Sequence, residues 1–266
     1  MTAGPCTGWR KDSHDPRDRN VDDLLAAARS AGALALPDLQ HVRGPRLEQG
    51  QANSCMAFAI SRAIYMSLRL QGHPDPPVPA PLLTYYAARR REYLGTPIDQ
   101  IPAPTDVGCY PRLAMEAVRA VGFLPWDAWP YDAAQRNTAP SPDVLVGAYS
   151  QRDFAYYRAA QTGRAKVAAV ADALRHSYPV IFGMPVDNDF LAHTGNEPIA
   201  GLDIYDLVGG HAMAVLAVDE ARDLLLVDNW WPGWGIADTG MGWLTGDVFR
   251  AYADDVYAIQ AAPIYQ

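Results

Sequence analysis

The sequence predicts an α+β protein of two lobes with a cleft between them. Three observations carry that expectation. Helical periodicity dominates the first half and is strongest over residues 54–70. From about residue 151 the pattern turns to short β-type runs at 179–185, 212–218 and 224–228, separated by turns. The length of 266 residues, with 49% hydrophobic and 20% charged, suffices for a sizeable core in one or two domains.

The elements follow in order. Residues 1–44 read as an N-terminal extension and lead-in: a charged opening, a helical pattern over 21–33, then Leu36-Pro37-Asp38 entering a loop. Residues 45–150 make the mainly helical lobe. Ser54 is placed to cap its main helix, and Ala57, Phe58, Ile60, Ala63 and Ile64 supply an apolar face. Gly72, Pro74, Pro76, Pro77 and Pro79 break the chain over 71–81 before further helices at 85–93 and 112–121. Residues 151–266 make the β-rich lobe, which opens with a helix over 165–175 and continues as short strands to Ile259.

Composition narrows the function. Lys and Arg total 22 against 30 Asp and Glu, a net charge of −8, which excludes a broad basic footprint for nucleic acid or an anionic membrane. The first 20 residues hold no apolar stretch of signal-peptide length, and no run of about 18 apolar residues occurs anywhere. The expected setting is cytoplasmic and reducing. Three cysteines, Cys6, Cys55 and Cys109, cannot all pair within one chain, so a disulfide framework does not organise the fold.

Chemistry concentrates in three segments. In Gln49-Gly50-Gln51-Ala52-Asn53-Ser54-Cys55, a cysteine sits in the first turn of the strongest helix, where unpaired N–H groups favour thiolate over thiol. Gln49 is placed to aim its side-chain amide at an oxyanion, beside the Cys55 backbone N–H. Such a thiol needs an imidazole partner. Of six histidines, His211 alone opens an apolar strand, behind Gly209 and Gly210, which let other backbone approach. Asn229 follows the next apolar run, so a hairpin return brings its carbonyl to the His211 ring, and Trp230, Trp231 and Trp234 are placed to shield that bond from water. Taken singly, each residue also has a structural reading: a buried thiol, a strand-start histidine, aromatics closing a core.

Together the segments resemble the papain-like cysteine peptidases. The Gln-Gly-x-x-x-Ser-Cys-x-Ala-Phe block is matched by Gln49, Gly50, Ser54, Cys55, Ala57 and Phe58. Gly210, His211 and Ala212 match the histidine block, and Asn229, Trp231, Trp234 and Gly235 the Asn-x-Trp…Trp-Gly block. Gly8-Trp9-Arg10 and Asp15-Pro16-Arg17-Asp18 resemble the opening of bacterial members. The resemblance implies a papain-like two-lobe fold, with a helical lobe and an antiparallel β-barrel-like lobe facing each other across the active-site cleft. It implies Cys55 as nucleophile, His211 as base and then acid, Asn229 as the imidazole's orienting group and Gln49 as oxyanion donor. Met56, Tyr110, Pro111, Gly210 and Trp231 would line the substrate. No metal or organic cofactor is implied, and the partner is a peptide or protein substrate.

Departures from the family pattern shape the expectations. Ala52 stands where secreted members carry a bridging cysteine, so Cys109 is expected as a leftover buried thiol. Met56 replaces a tryptophan, and Tyr110-Pro111 replaces two glycines that bond substrate backbone, which points to a dedicated substrate. Trp231 and Trp234 are one residue closer than usual. Only 48 residues precede Gln49, implying synthesis in an active or substrate-gated form. The same acyl-enzyme also serves a peptide ligase, cyclase or transacylase, and a non-catalytic binding protein is the reading from another class. The intact set Gln49, Cys55, His211 and Asn229 argues against the last.

Overall fold

A computed structural model describes residues 7–29, 35–149 and 152–261, without the side chains of 27–29 and 98. Five helices come first: α1 (Val21–Arg29), α2 (Cys55–Leu70), α3 (Pro81–Arg91), α4 (Pro111–Val121) and α5 (Pro142–Tyr149). Strand β1 (Phe154–Arg158), helix α6 (Gly163–Arg175), strand β2 (Val180–Asp187) and the single turn α7 (Asn188–Leu191) follow. The chain ends with β3 (Leu207–Asp219), β4 (Leu224–Asp228), β5 (Met241–Thr245), α8 (Gly246–Tyr252) and β6 (Asp254–Ala261).

The expected helices form with shifted ends, for local reasons. Both α3 and α4 start on a proline at the first helical position, where no N–H is needed, and α4 stops at Gly122, whose φ is 85°. The helix expected over 21–33 is seen as α1; residues 30–34 and Cys6 lie outside the described residues. Ser54 stands at the N-cap of α2 but does not cap it; its hydroxyl bonds the Tyr131 hydroxyl at 2.9 Å instead. The opening amides of α2 are thereby left to the site described below. Four elements had no counterpart in the sequence reading: α5, the edge strand β1, the single turn α7 and α8, which Thr245 caps through the Val248 N–H.

The six strands form one antiparallel sheet in the order β1-β6-β2-β3-β4-β5. This corrects the barrel-like expectation: β1 and β5 end the sheet on opposite edges, so it stays open. Helix α2 packs on β2, β3 and β6. Every residue from Cys55 to Leu68 is buried, as expected of a helix enclosed on all sides. Buried apolar side chains from α2, α4, α6 and the sheet make one continuous core; a smaller cluster of Ala80, Leu82, Leu83, Leu124, Trp129 and Ala148 lies among the helices. No described helix is long and apolar enough to cross a membrane.

One charge in α2 is fully enclosed. Arg62 pairs with Asp228 at 2.7 Å, and Arg43 reaches the same carboxylate at 2.5 Å. Arg62 lies two turns after Cys55, and Asp228 immediately precedes Asn229. The ion pair ties the helix that carries the thiol to the strand that carries the amide.

Candidate active site

The hairpin β3–β4 builds one side of the site. Ala214 pairs with Asp228 and Val215 with Val227, which leaves His211 and Asn229 side by side just beyond the paired rungs. His211 Nε2 and Asn229 Oδ1 are 2.8 Å apart, both residues fully buried. The Trp230 backbone N–H also donates to Asn229 Oδ1, at 2.6 Å, which fixes that atom as oxygen. Since Oδ1 only accepts, Nε2 carries the ring proton and Nδ1 keeps its lone pair. Among the described residues Nδ1 makes no hydrogen bond. Trp231 stacks on the imidazole at 3.9 Å between ring centroids, and Trp230 Nε1 donates to the Ala212 carbonyl at 2.9 Å. Trp234 donates to the Phe190 carbonyl at 2.7 Å and closes the far side.

The loop before α2 builds the opposite side. Asp106 accepts from the Asn53 N–H at 2.9 Å and from the Tyr85 hydroxyl at 2.5 Å. Tyr131 donates to the Gln49 carbonyl at 2.6 Å, and the Gln49 N–H donates to the Trp230 carbonyl at 3.0 Å, so this loop is joined to the Asn229 segment. The Gln49 side-chain amide donates to the Ala52 carbonyl at 2.9 Å. Cys55 opens α2, and the backbone amides of Ala212, Gly8 and Met56 face its sulfur.

Gly8 in that group is the finding the sequence reading lacked. Residues 7–12 form a strap that crosses the site. The Trp9 N–H donates to the Gly210 carbonyl at 3.0 Å. Cys109 N–H donates to the Gly8 carbonyl at 2.9 Å, and Arg10 N–H to the Cys109 carbonyl at 3.2 Å, a parallel bridge. The fit excludes a side chain at position 8, since a Cβ there would sit 1.9 Å from the Asn53 carbonyl oxygen. Gly108, with φ of 77°, is as tight: its Cβ would meet the Gly8 carbonyl at 2.1 Å. The approach expected at Gly209 and Gly210 is made by Thr7 and Trp9.

The strap is anchored on both flanks. Arg10 pairs with Glu92 at 2.9 Å and lies over the Tyr110 ring, whose hydroxyl it also contacts. On the sheet side, Asp255 accepts from Trp9 Nε1 at 3.0 Å, the Asp12 N–H at 2.8 Å and Arg158 at 2.9 Å. Asp12 in turn accepts from the Tyr257 hydroxyl and the Arg112 N–H, while Asp18 bridges Arg112 and Arg158.

Covering sets the protonation states. Burial pushes the Cys55 thiol up to about 12, against the pull of the surrounding amides. It pushes the His211 imidazole down to about 3, with the Asn229 bond opposing. In this state the pair is neutral thiol and neutral imidazole, not the thiolate that the helix position alone suggests. The strap is seated over the thiol.

The structure of xylellain, a cysteine protease from Xylella fastidiosa, superposes with a TM-score of 0.77 at 22% identity, over 97% of this chain and 96% of that one. The chain has the papain-like fold. Procathepsin L 3 from the larval midgut of Tenebrio molitor matches with a TM-score of 0.60 at 20% identity, over 88% and 72% of the two chains. Bromelain from Ananas comosus matches at 0.57 and 15% identity, over 93% and 100%. No protein-family model and no curated protein matches the sequence.

Within this papain-like fold the expected residues fall as follows. Gln49, Cys55, His211 and Asn229 converge at the junction of α2 and β3. Gly210 and Trp231 flank the imidazole. Tyr110 is half-buried beneath Arg10, whereas Met56 and Pro111 are enclosed in the protein. The backbone pairing that Tyr110-Pro111 was expected to alter is made by Cys109 instead. Cys109 is a free, buried thiol, as is Cys55. Sequence reasoning missed the strap and the pairing role of Cys109. The available signals were glycines at 8, 108, 183 and 210, each too tightly packed for a side chain.

Proposed function

We propose that the protein is a cysteine peptidase that attacks a peptide or amide carbonyl with the Cys55 thiolate. The observation that carries this is the assembled His211–Asn229 pair under Trp231, on the strand whose Ala212 amide faces the Cys55 sulfur. The papain-like fold supports it. His211 Nδ1 takes the thiol proton, and the sulfur bonds to the substrate carbonyl carbon. The oxyanion is met by the Cys55 N–H and the Gln49 amide, which turns from the Ala52 carbonyl to do so. His211 then protonates the departing amine, and water, with His211 as base, releases the acid and restores the thiol.

Hydrolysis and ligation share the acyl-enzyme and differ in the acceptor. The test uses the full chain carrying Gly8→Val, which lifts the strap, with a mixture of short peptides and mass spectrometry of the products. The expected result is fragments that together gain one water, lost in the added Cys55→Ala. Joined fragments would replace the peptidase reading with a ligase, and no Cys55-dependent product would overturn both.

A further inference from the structure

One residue of the strap touches two separate segments at once. The Gly8 N–H faces the Cys55 sulfur, and the Gly8 carbonyl accepts from the Cys109 N–H at 2.9 Å. The gap between the thiol loop, residues 49–54, and the segment 106–109 is one glycine wide. A Cβ on Gly8 would meet the Asn53 carbonyl oxygen at 1.9 Å, and one on Gly108 would meet the Gly8 carbonyl oxygen at 2.1 Å. Neither segment belongs to a helix or strand, so neither is held by a ladder of its own.

Asp106 holds them together. Its Oδ1 accepts from the Asn53 N–H at 2.9 Å, and its backbone carbonyl accepts from Asn53 Nδ2 at 2.8 Å, so the two residues grip each other in both directions. Tyr85 of α3 donates to the same Oδ1 at 2.5 Å and accepts from the Gly108 N–H at 3.1 Å. Oδ2 pairs with Arg136 at 3.0 Å. A carboxylate suits this post because both its oxygens accept and neither carries a proton. An amide has one acceptor oxygen and would turn its own N–H groups toward Arg136.

We propose that Asp106 is a positioning residue for the peptidase reaction. It sets the distance between the Cys55 thiol and the Cys109 backbone, and with it the register at which a peptide presents its carbonyl to the sulfur. The proposal rests on the reading of Cys55 as nucleophile. Asp106 acts through its neighbours: Asn53 lies two residues before Cys55, and Gly108 adjoins Cys109. An error of about 1 Å in such a register can cost about a hundredfold in rate. A peptide that spans both segments feels it, whereas a small reagent that meets only the thiol does not.

The test uses the full chain carrying Gly8→Val and two alkylating reagents for Cys55, each rate taken relative to free cysteine. Acetyl-trialanyl chloromethyl ketone has a backbone to pair at Cys109; iodoacetamide has none. Their ratio reads the register, and the iodoacetamide rate reads the thiol–imidazole pair. Added Asp106→Ala should lower the ratio about tenfold, the worth of a charged hydrogen bond, and leave the iodoacetamide rate within about twofold. Asn53→Ala removes the Nδ2 bond, spares the carboxylate and should lower the ratio about threefold. It decides the matter where Asp106→Ala fails to fold. Asp106→Asn, which keeps one acceptor, should fall between Asp106→Ala and the parent. An unchanged ratio, a fall of both rates together, or a parent in which the peptide reagent has no advantage would each overturn the proposal. Hydrolysis of the matching trialanyl amide separates the two readings. Register-dependent labelling without hydrolysis contradicts the peptidase alone, and hydrolysis that Asp106→Ala leaves unchanged contradicts the positioning role alone.

Discussion

The two sides of the site are prepared to different degrees. On the hairpin, imidazole and amide are already joined at 2.8 Å, the tautomer is fixed, and a tryptophan lies on the ring. On α2 the thiol is in place, yet Gly8 lies against it and its proton is held to about pH 12. The imidazole–amide pair is assembled, and the strap covers the thiol. Covering of this kind leaves the His211–Asn229 geometry intact and needs only a short segment that replaces water over the sulfur. Burial alone then shifts thiol and imidazole in opposite directions, each toward neutrality.

The largest expected effect comes from lifting the cover. Gly8→Val drives a side chain into the Asn53 carbonyl, and alkylation of Cys55 at neutral pH should rise by about a hundredfold or more as the thiol returns to solvent and to His211. An unchanged rate would mean that the strap does not control access.

Next comes the tie between the two sides. Asp228→Asn strips the buried Arg62 of its counter-charge and should cost about 3–5 kcal/mol in denaturant unfolding. Arg43 shares that carboxylate from a slightly exposed position, so Arg43→Met should cost clearly less. Equal losses would show that burial of Arg62 is not what makes the pair matter.

The smallest effect is the pH dependence of the seat. Asp12 is raised from 3.8 to about 6, first by burial and then by the charge of Asp255. The seated strap therefore binds this proton more tightly than the lifted strap. Seating is strongest below pH 3.8 and weakens as pH rises through about 6. The ratio of Cys55 alkylation in the native chain to that in Gly8→Val, taken at each pH, should rise by about tenfold across that window. Asp12→Asn should flatten it. A ratio that falls with rising pH would reverse the assigned sign.

Much of the site was legible because its chemistry is local in sequence. Gln49 and Cys55 share one turn-and-helix segment, and His211 and Asn229 flank a single hairpin, so turn signals together with the resemblance to papain-like peptidases brought each pair together. The α2 helix was legible for the same reason. What escaped was non-local or short. The Gly8–Cys109 bridge joins segments that no periodicity relates, and Ser54 satisfies every cap rule yet spends its hydroxyl on Tyr131. Strand β1 and helix α8 are too brief for a pattern to stand out, and whether a sheet closes depends on how its edges meet. Glycine marked the strap from the other side: Gly183 and Gly210 are wall positions for an indole that comes from residue 9.

The most direct measurement of the central claim, a complete thiol site held shut by its own N-terminal segment, is alkylation of Cys55 at mildly acidic pH followed by mass spectrometry. It compares the native chain, Gly8→Val, and Gly8→Val with His211→Ala. The account predicts little labelling in the first, rapid labelling of Cys55 over Cys109 in the second, and slow labelling in the third, where the exposed thiol lacks its imidazole. Equal labelling of both thiols in Gly8→Val, or no loss on removing His211, would contradict it.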